Sequence, residues 1–241
     1  MGKGFYAGDC TSPEFAEKLK KSRGVILICG SCEQHGHHLP LDTDNIIGME
    51  IAGRIASNTG MLLMPAVNYG QVWSAKGFPG TISLSAGILK GLLREIIISL
   101  EAQGAANIVL MSGHNGNYPF LKELARELFD EFDWENIWHF PLTFSKEVLA
   151  RAKAVPCTVA PHAGELETAI MLYLRPELVK LSEATKEYPV PPEDYPYRPV
   201  HWNRFVQTGS FGDSSMASAE YGEALVKDAV GTITDLIERF L

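Results

Sequence analysis

Residues 24–44 of the chain read GVILICGSCEQHGHHLPLDTD. The first six of them, residues 24–29, are apolar on both alternating faces, a pattern typical of a strand buried in a parallel sheet. The polar part follows this strand directly, so it lies at the carboxyl end of the strand, where open α/β sheets bind their ligands. This one stretch therefore predicts both a fold class and the place of a functional site.

The rest of the chain alternates short apolar runs with longer amphipathic ones. Three more runs are typical of buried strands, namely residues 61–67, 107–111 and 136–140. Apolar side chains recur at helical spacing in residues 45–58, 86–103, 118–132, 164–174 and 217–241. Strand followed by helix, repeated, predicts parallel βαβ units with right-handed crossovers. We therefore expect an α/β fold with three layers, α/β/α, around a mainly parallel central sheet.

One segment departs from this alternation. Residues 188–211 hold five of the fourteen prolines together with several aromatic residues, so they cannot form a regular helix or a central strand. The segment is either a packed surface excursion or an arm that closes a pocket or contacts another subunit. Since no linker divides the chain, we expect residues 1–241 to form a single domain.

Composition limits the class of protein. The 241 residues carry 21 Lys and Arg against 29 Asp and Glu, a formal net charge of −8. This balance argues against nucleic acid as a partner, because binding nucleic acid needs a basic surface. No apolar run approaches the roughly 18 residues of a membrane span, and residues 1–10 lack the apolar core of a signal peptide. With four cysteines and no such signal, we expect a cytoplasmic protein that acts on a small molecule.

The loop after the first strand is rich in metal-binding side chains. Residues 33–44 contain three histidines and three carboxylates. A solvated surface or a capped turn does not account for a Glu-x-His sequence placed at a strand end. Imidazole and carboxylate together suit Zn, Mn or Fe, so the loop predicts a metal site.

Two later segments add candidates. Residues 112–117 (SGHNGN) again follow an apolar strand, which places His114 on the same edge of the sheet. Residues 161–168 read PHAGELET, in which His162 and Glu165 share one face if a helix starts there. Glu165 and Glu167 are about 200° apart around a helix, so only one of them can easily reach a given metal.

Together these segments offer more ligands than one open zinc site, which needs three. The candidates are Glu33, His35, Asp44, His114 and one glutamate, with His162 nearby. Such a set suits two metals that share a bridging carboxylate, a pair that acidifies water and polarises a carbonyl. An uncoordinated histidine can pass a proton to the leaving nitrogen. The predicted chemistry is metal-dependent hydrolysis.

The motifs resemble those of the creatininase family. They are Glu33-Gln34-His35-Gly36, His38-Leu39-Pro40, Thr43-Asp44, residues 78–81, Gly113-His114, His162-Ala163-Gly164 and Glu167-Thr168. The resemblance spans about residues 25–175, with a further turn at 209–215. It implies a three-layer fold, two divalent ions (Zn, Mn or Fe) and a homo-oligomer, frequently a hexamer. Family members open cyclic amides, deformylate pyrimidines, trim a precursor peptide or act on keto-inositol rings.

Carried over by motif, the resemblance places Glu33 and His114 on one metal, His35 on the other and Asp44 between them. Creatininase proper has a glutamate two residues after the motif histidine, where this chain has Gly116. We therefore expect Glu165 to replace that ligand and His162 to be catalytic. The remaining candidates are placed near the metals or in the substrate pocket; they are Glu167, His38, Lys76 and Asn115.

The departures also bear on the substrate. The two tryptophans that enclose creatinine in creatininase proper are missing from the corresponding positions, so creatinine itself is an unexpected substrate. Lys76 stands where the family commonly has a histidine, and it either meets an anionic or carbonyl group or is simply solvated. A small cyclic amide, a formamide or a related carbonyl compound is expected instead.

Two alternatives stay open at this level. Cys29 and Cys32 form a C-x-x-C sequence after a strand, which is compatible with a thiol–disulfide oxidoreductase. The chain could also be a member of the fold that binds metal without turnover. Loss of activity on chelation, rather than on replacing Cys32 by serine, distinguishes the hydrolase from the oxidoreductase.

Overall fold

A computed structural model describes residues 5–241, and its centre is a parallel sheet in the order β2-β1-β3-β4. The strands are β1 (Val25–Cys29), β2 (Leu62–Leu63), β3 (Ile108–Ser112) and β4 (Ile137–His139). All five residues of β1 and of β3 are buried, as expected for strands covered on both faces. Cys29 pairs with Ser112, so the two central strands end side by side at the same edge.

Seven α-helices surround this sheet in the described part of the chain. The helices are α1 (Ser12–Lys21), α2 (Thr43–Thr59), α3 (Ala86–Ala102), α4 (Tyr118–Phe132), α5 (Lys146–Leu149), α6 (Glu165–Leu174) and α7 (Ala219–Phe240). An antiparallel pair, β5 (Lys186–Glu187) and β6 (Gly212–Asp213), lies apart from the main sheet.

The two faces of the sheet carry different helices. Ile26, Ile28 and Val109 pack in one buried cluster with α2, α6 and α7. Val25, Leu27 and Leu110 point the other way and pack with α3 and α4, together with Leu19 of α1. Successive side chains of β1 and β3 therefore belong to two separate hydrophobic cores, one on each face of the sheet. This arrangement confirms the predicted three-layer α/β/α fold.

Differences from the predicted elements lie mainly at their ends. Strand β2 keeps only two residues, although Val67 still forms an isolated bridge with Cys29. Helix α1 was not expected; it begins with a capping box in which Thr11 and Glu14 satisfy each other's backbone groups. Among residues 5–241, none of the helices combines the length and apolar character needed to cross a bilayer.

The proline-rich segment 188–211 packs against the body of the same chain. Its only helical turn is Trp202–Arg204. The backbone N–H of Trp202 donates to the carbonyl oxygen of Ser74 at 2.8 Å, which fixes the tryptophan beside the carboxyl edge of the sheet. The single-domain organisation stays a prediction.

Candidate metal centre

The carboxyl edge of the central sheet collects the predicted metal-binding residues. Glu33 and His35 follow β1, and His114 follows β3. Asp44 lies in the first turn of α2, and Glu167 in the first turn of α6. Because β1 and β3 are neighbours in parallel register, loops distant in sequence meet at one point.

Asp44 lies between two groups of side chains, one on each of its oxygens. Its Oδ2 is 3.2 Å from Nδ1 of His114, which is also 3.0 Å from Oε2 of Glu33. Its Oδ1 is 3.3 Å from Nε2 of His35, and that nitrogen is 3.8 Å from Oε2 of Glu167. Two sets of three potential ligands share Asp44, namely Glu33–Asp44–His114 and His35–Asp44–Glu167, and a third set, Glu33–His35–His162, lies beside them.

Backbone carbonyls orient both histidines. Nδ1 of His35 lies 3.1 Å from the carbonyl oxygen of Glu33, and Nε2 of His114 lies 3.1 Å from that of Gln71. A carbonyl oxygen only accepts, so each of these nitrogens carries the proton. The other nitrogen of each ring therefore presents a lone pair to the carboxylates, which is the usual arrangement of metal-ligating histidines.

The polar atoms of the cluster suit a bound cation. Both carboxylate oxygens of Glu33, and Nε2 of His35, are buried without a hydrogen-bond partner among residues 5–241. Lone pairs facing lone pairs at 3.0–3.3 Å are costly to bury unless a positive charge lies between them. Divalent cations meet this requirement, and the donor set of imidazole and carboxylate suits Zn, Mn or Fe.

In the absence of a metal, protons supply the same positive charge. Burial by itself lowers the pKa of His35, but Asp44, Glu167 and Glu33 outweigh burial and raise it to about 10. Burial opposes ionisation of Glu33 in the same way, yet His162 and His114 hold the pKa of its carboxyl below the ordinary value. The site thus favours charged carboxylates around a positive centre.

The structure places Glu167, and not Glu165, in the cluster. The Glu165 carboxylate is buried elsewhere, where it accepts hydrogen bonds from the backbone N–H groups of Lys153 and Ala154 at 2.7–2.9 Å. The structure therefore does not bring Glu165 into the cluster, where it was expected, and Glu167 lies there instead. The reason lies in the local backbone. Helix α6 begins at Glu165 after a left-handed turn at Ala163 (φ 48°). With this start, the side of the helix that carries Glu167 faces His35.

His162 lies at the rim of the cluster and belongs to neither set that contains Asp44. Its Nε2 is 3.9 Å from Oε1 of Glu33. The same nitrogen is 2.9 Å from the carbonyl oxygen of Gln34 and 3.0 Å from the side-chain amide of Gln34. Gln34 can therefore satisfy Nε2 whether that nitrogen is protonated or bare.

A cavity of about 290 Å³ opens over the cluster. Asn115 lines it with Glu33, Asp44, His114, His162 and Glu167. Trp73 and Trp202 also line it, and sequence reasoning did not assign either of them to the site. The aromatic residues of the segment 188–211 were the available signal for Trp202.

The two remaining pocket candidates lie outside this cavity. Lys76 is exposed and is absent from the cavity lining. His38 is buried behind the cluster, with Nε2 2.8 Å from the hydroxyl of Thr168. Burial and the neighbouring His35 and His37 lower the pKa of His38 to about 4, so it is a neutral packing residue at neutral pH.

The two cysteines of the C-x-x-C sequence lack the features of reactive thiols. Burial raises the pKa of Cys29 to about 12. Burial and Asp42 also raise the pKa of Cys32, whose Sγ lies 3.4 Å from the carbonyl oxygen of Gly80. Redox-active cysteines have a lowered pKa, so this geometry disfavours the oxidoreductase alternative.

Similar sequences point to one family. A family model described as creatinine amidohydrolase matches residues 8–237. The creatinine amidohydrolase of Pseudomonas putida is 30% identical over 253 residues, which cover 98% of this chain and 97% of that protein. The mycofactocin precursor peptide peptidase of Mycolicibacterium smegmatis is 30% identical over 230 residues, 90% of this chain and 85% of that one. A 2-amino-5-formylamino-6-ribosylaminopyrimidin-4(3H)-one 5'-monophosphate deformylase of Methanothermobacter marburgensis is 29% identical over 177 residues, 69% and 66% of the two chains.

Similar solved structures extend over nearly the whole chain. The crystal structure of creatinine amidohydrolase (creatininase) superposes with a TM-score of 0.88 at 29% identity and 98% coverage of both chains. A structure described as creatininase Mn gives a TM-score of 0.86, again at 29% identity and 98% coverage of both chains.

Proposed function

The chain belongs to the creatininase family, and from this membership we propose that its site is a binuclear metal centre that hydrolyses the amide C–N bond of a small substrate. Membership of the family makes the protein an amidohydrolase. The two ions, their ligands and the type of substrate are the proposed part.

The observation that carries the proposal is the position of Asp44 between two ligand sets. We assign Glu33, Asp44 and His114 to one ion, and His35, Asp44 and Glu167 to the other. Each set combines an oriented imidazole lone pair with two carboxylates, and each draws on a different oxygen of Asp44. A shared carboxylate of this kind is typical of paired metal sites.

The surroundings of Gly116 support the assignment of Glu167 to the second ion. A Cβ atom at this position would lie 2.3 Å from Nε2 of His114 and 3.1 Å from the carbonyl oxygen of Gln71. The glutamate of creatininase proper therefore cannot be accommodated here without moving His114. A carboxylate from α6 supplies the missing charge instead.

The chain's own residues provide substrate orientation and proton transfer. When bound, two divalent ions polarise an amide carbonyl and acidify water. Trp73 and Trp202 wall the cavity and favour a planar group, such as a cyclic amide or an aryl formamide. Nε2 of His162 can donate to the carbonyl oxygen of Gln34 when it carries a proton, and it can accept from the Gln34 side-chain amide when it is bare. This relay suits protonation of a leaving nitrogen.

Counting metals tests the proposal directly. Purified protein, stripped and reloaded with Zn²⁺ or Mn²⁺, should bind about two ions per chain. Asp44→Asn should lose ions from both sets, whereas Asp42→Asn, at an exposed carboxylate two residues away, should keep them. A wild-type protein that holds less than one ion per chain would contradict the proposal.

Turnover separates the remaining alternatives. Hydrolysis of a panel of cyclic amides and formamides should disappear on chelation and survive Cys32→Ser, whereas an oxidoreductase would behave in the opposite way. A metal-loaded protein that hydrolyses nothing in the panel would favour the non-catalytic alternative.

We also propose that the protein is a cytoplasmic homo-oligomer, a hexamer by family resemblance, that acts on a small molecule. Light scattering of the purified protein should give a mass of about six chains.

A further inference from the structure

A separate cavity, of about 240 Å³, lies beside the first turn of α6. This side cavity is formed by residues of the stretches 149–157, 161–167 and 211–213, together with Tyr221 of α7. His162 and Glu167 line it and also line the cavity over the metal cluster. The side cavity is therefore a neighbour of the metal site, but most of its walls come from residues that the metal site does not use.

The walls of the side cavity are mainly apolar. Leu149, Val155, Leu166 and Phe211 are among the lining residues. A cavity of about 150 Å³ with apolar walls is large enough to bind benzene. The side cavity therefore has room for one ring or a branched alkyl group with a short polar substituent, and burial of such an apolar group is favourable.

Glu165 brings a buried carboxylate to this apolar space. The residue is only 7% exposed, and its carboxylate accepts hydrogen bonds from the backbone N–H groups of Lys153 and Ala154. In the described part of the chain, no side-chain nitrogen of Lys, Arg or His lies within 4.0 Å of it. A buried carboxylate is costly without a cation, so a ligand that supplies the positive charge would be favoured here.

Tyr221 adds a polar group without a partner. The residue is 6% exposed, and its hydroxyl makes no hydrogen bond within residues 5–241. Burial, and then the charge of Glu165, raise the pKa of Tyr221, so the hydroxyl keeps its proton at neutral pH. Its oxygen can accept a hydrogen bond from a donor in the cavity, and leaving a buried hydroxyl unsatisfied costs free energy.

The charges around the side cavity exclude an anion. Its lining contains the carboxylates of Glu165, Glu167 and Asp213, and neither Lys nor Arg occurs among the described lining residues. Asp213 pairs with Lys186 at 3.4 Å, and Glu167 faces His35 in the cluster. Glu165 is thus the carboxylate that lacks a positive partner, and the electrostatics favour a single cation.

We propose that the side cavity is a second binding site, for a small organic ammonium ion with one apolar group. The ammonium group would donate hydrogen bonds to the Glu165 carboxylate and the Tyr221 hydroxyl, and the apolar group would pack against Leu149, Val155 and Phe211. Charge-assisted hydrogen bonds of this kind are stronger than neutral ones. The inference goes beyond the proposed hydrolysis, since binding at this site requires no turnover.

Two compounds of similar shape test the class of ligand. Benzylammonium chloride and benzyl alcohol share the ring and the methylene group and differ in the charge of the polar group. With the metal-loaded protein, calorimetry should show that benzylammonium binds at least about tenfold more tightly than the alcohol, because it forms hydrogen bonds between charged groups. Equal affinity for the two compounds, or no binding of benzylammonium, overturns the proposal.

Variants show which groups hold the ion. Glu165→Gln should abolish the preference for the ammonium ion over the alcohol. Tyr221→Phe should weaken binding of benzylammonium about threefold to tenfold, and it removes a hydroxyl that no other residue contacts by a hydrogen bond, so the fold should be retained. Tyr197→Phe, at a residue that is 90% exposed, is the control and should bind like the wild type.

The same variants expose the main competing explanation. An amine can also bind to a metal ion, and such binding would be insensitive to the two substitutions. Unchanged affinity for benzylammonium in both Glu165→Gln and Tyr221→Phe would place the amine outside the side cavity and overturn the proposal.

A cysteine allows the bound ion to be located. Cys157 lines the side cavity and is partly exposed, and Cys10 is partly exposed but does not line it. Benzylammonium at about ten times its dissociation constant should slow alkylation of Cys157 by iodoacetamide about tenfold, since most molecules then hold the ligand. Alkylation of Cys10 should not change. Peptide mass mapping measures both rates, and equal alkylation of Cys157 with and without the ion contradicts the proposed site.

Discussion

At the scale of single residues, Asp44 organises the site. It is buried in the first turn of α2, and the hydroxyl of Ser31 donates to its Oδ2 at 2.6 Å. The same oxygen faces His114, while Oδ1 faces His35. A carboxylate held from three directions has little rotational freedom, so the separation of the two proposed ion positions is set by the protein before any ion binds.

The first residue-scale prediction compares the two glutamates of α6. Glu167→Gln should reduce the metal content by about one ion per chain, because the carboxylate next to His35 is lost. Glu165→Gln should keep both ions, since its carboxylate faces the backbone of residues 153–154. Elemental analysis after reloading is the measurement, and ion loss in Glu165→Gln alone would contradict the assignment.

The second prediction concerns His162. His162→Ala should keep both ions and reduce kcat by about 10²–10⁴, the usual contribution of a general acid or base. His37→Ala is the control, because His37 is a histidine of the loop that carries Glu33 and His35 but is itself exposed. A variant of His162 that loses metal would show that the residue is a ligand.

Sequence alone was sufficient for placing the residues that follow strands and insufficient for placing those in the first turn of α6. Glu33, His35 and His114 follow buried apolar strands, so their common edge could be predicted from strand direction. The choice between Glu165 and Glu167 depends on the left-handed turn at Ala163, a conformation that alanine rarely adopts and that no spacing rule indicates. Trp73 and Trp202 were missed because their place depends on contacts between loops.

At the scale of secondary structure elements, the packing of α6 on α7 holds one side of the site. Gly222 of α7 faces the backbone of α6, and a Cβ atom there would lie 1.8 Å from the carbonyl oxygen of Ala169. The two helices therefore touch through their backbones at this point. Since α6 carries Glu167 and follows His162, its distance from α7 also sets the position of these side chains.

This contact gives a prediction with an internal control. Gly222→Ala should lower the free energy of unfolding by at least the roughly 1–3 kcal/mol that is typical of overpacking. Gly231→Ala, in the same helix but with no atom within 4 Å of its added Cβ, should raise it by about 0.5–1 kcal/mol. Urea unfolding of the two variants is the measurement. Equal changes in the free energy of unfolding at both positions would mean that helix propensity alone determines the effect, and that the contact with α6 contributes nothing.

At the scale of the whole molecule, the negative net charge of the chain is connected with the proposed metal ions. Three carboxylates of the cluster, Glu33, Asp44 and Glu167, meet at one point beside the sheet. Two divalent ions would move the formal net charge of the chain from −8 to about −4. The proposed metals therefore reduce the repulsion of an acidic protein where it is most concentrated.

Chelation should consequently destabilise the fold. An ion present at 100 times its dissociation constant stabilises the native state by about 2.7 kcal/mol. For a chain of this size that corresponds to a melting temperature lower by roughly 5–10 °C for each ion removed. Differential scanning calorimetry with and without a chelator tests this effect, and an unchanged melting temperature would speak against ions in the buried cluster.

The same arrangement has a kinetic consequence. The proposed ligands come from residues 33–44, 114 and 167, so no short stretch of the nascent chain contains the full set. The set forms only after β1 and β3 have paired and α6 has docked on α7, contacts of long sequence separation that are slow to form. Ions that bind so late leave the refolding rate nearly unchanged and mainly slow unfolding. The metal centre would then stabilise the chain only after it has folded. The unfolding rate, and with it the lifetime of the native state, would depend on the metal supply more than the folding rate does.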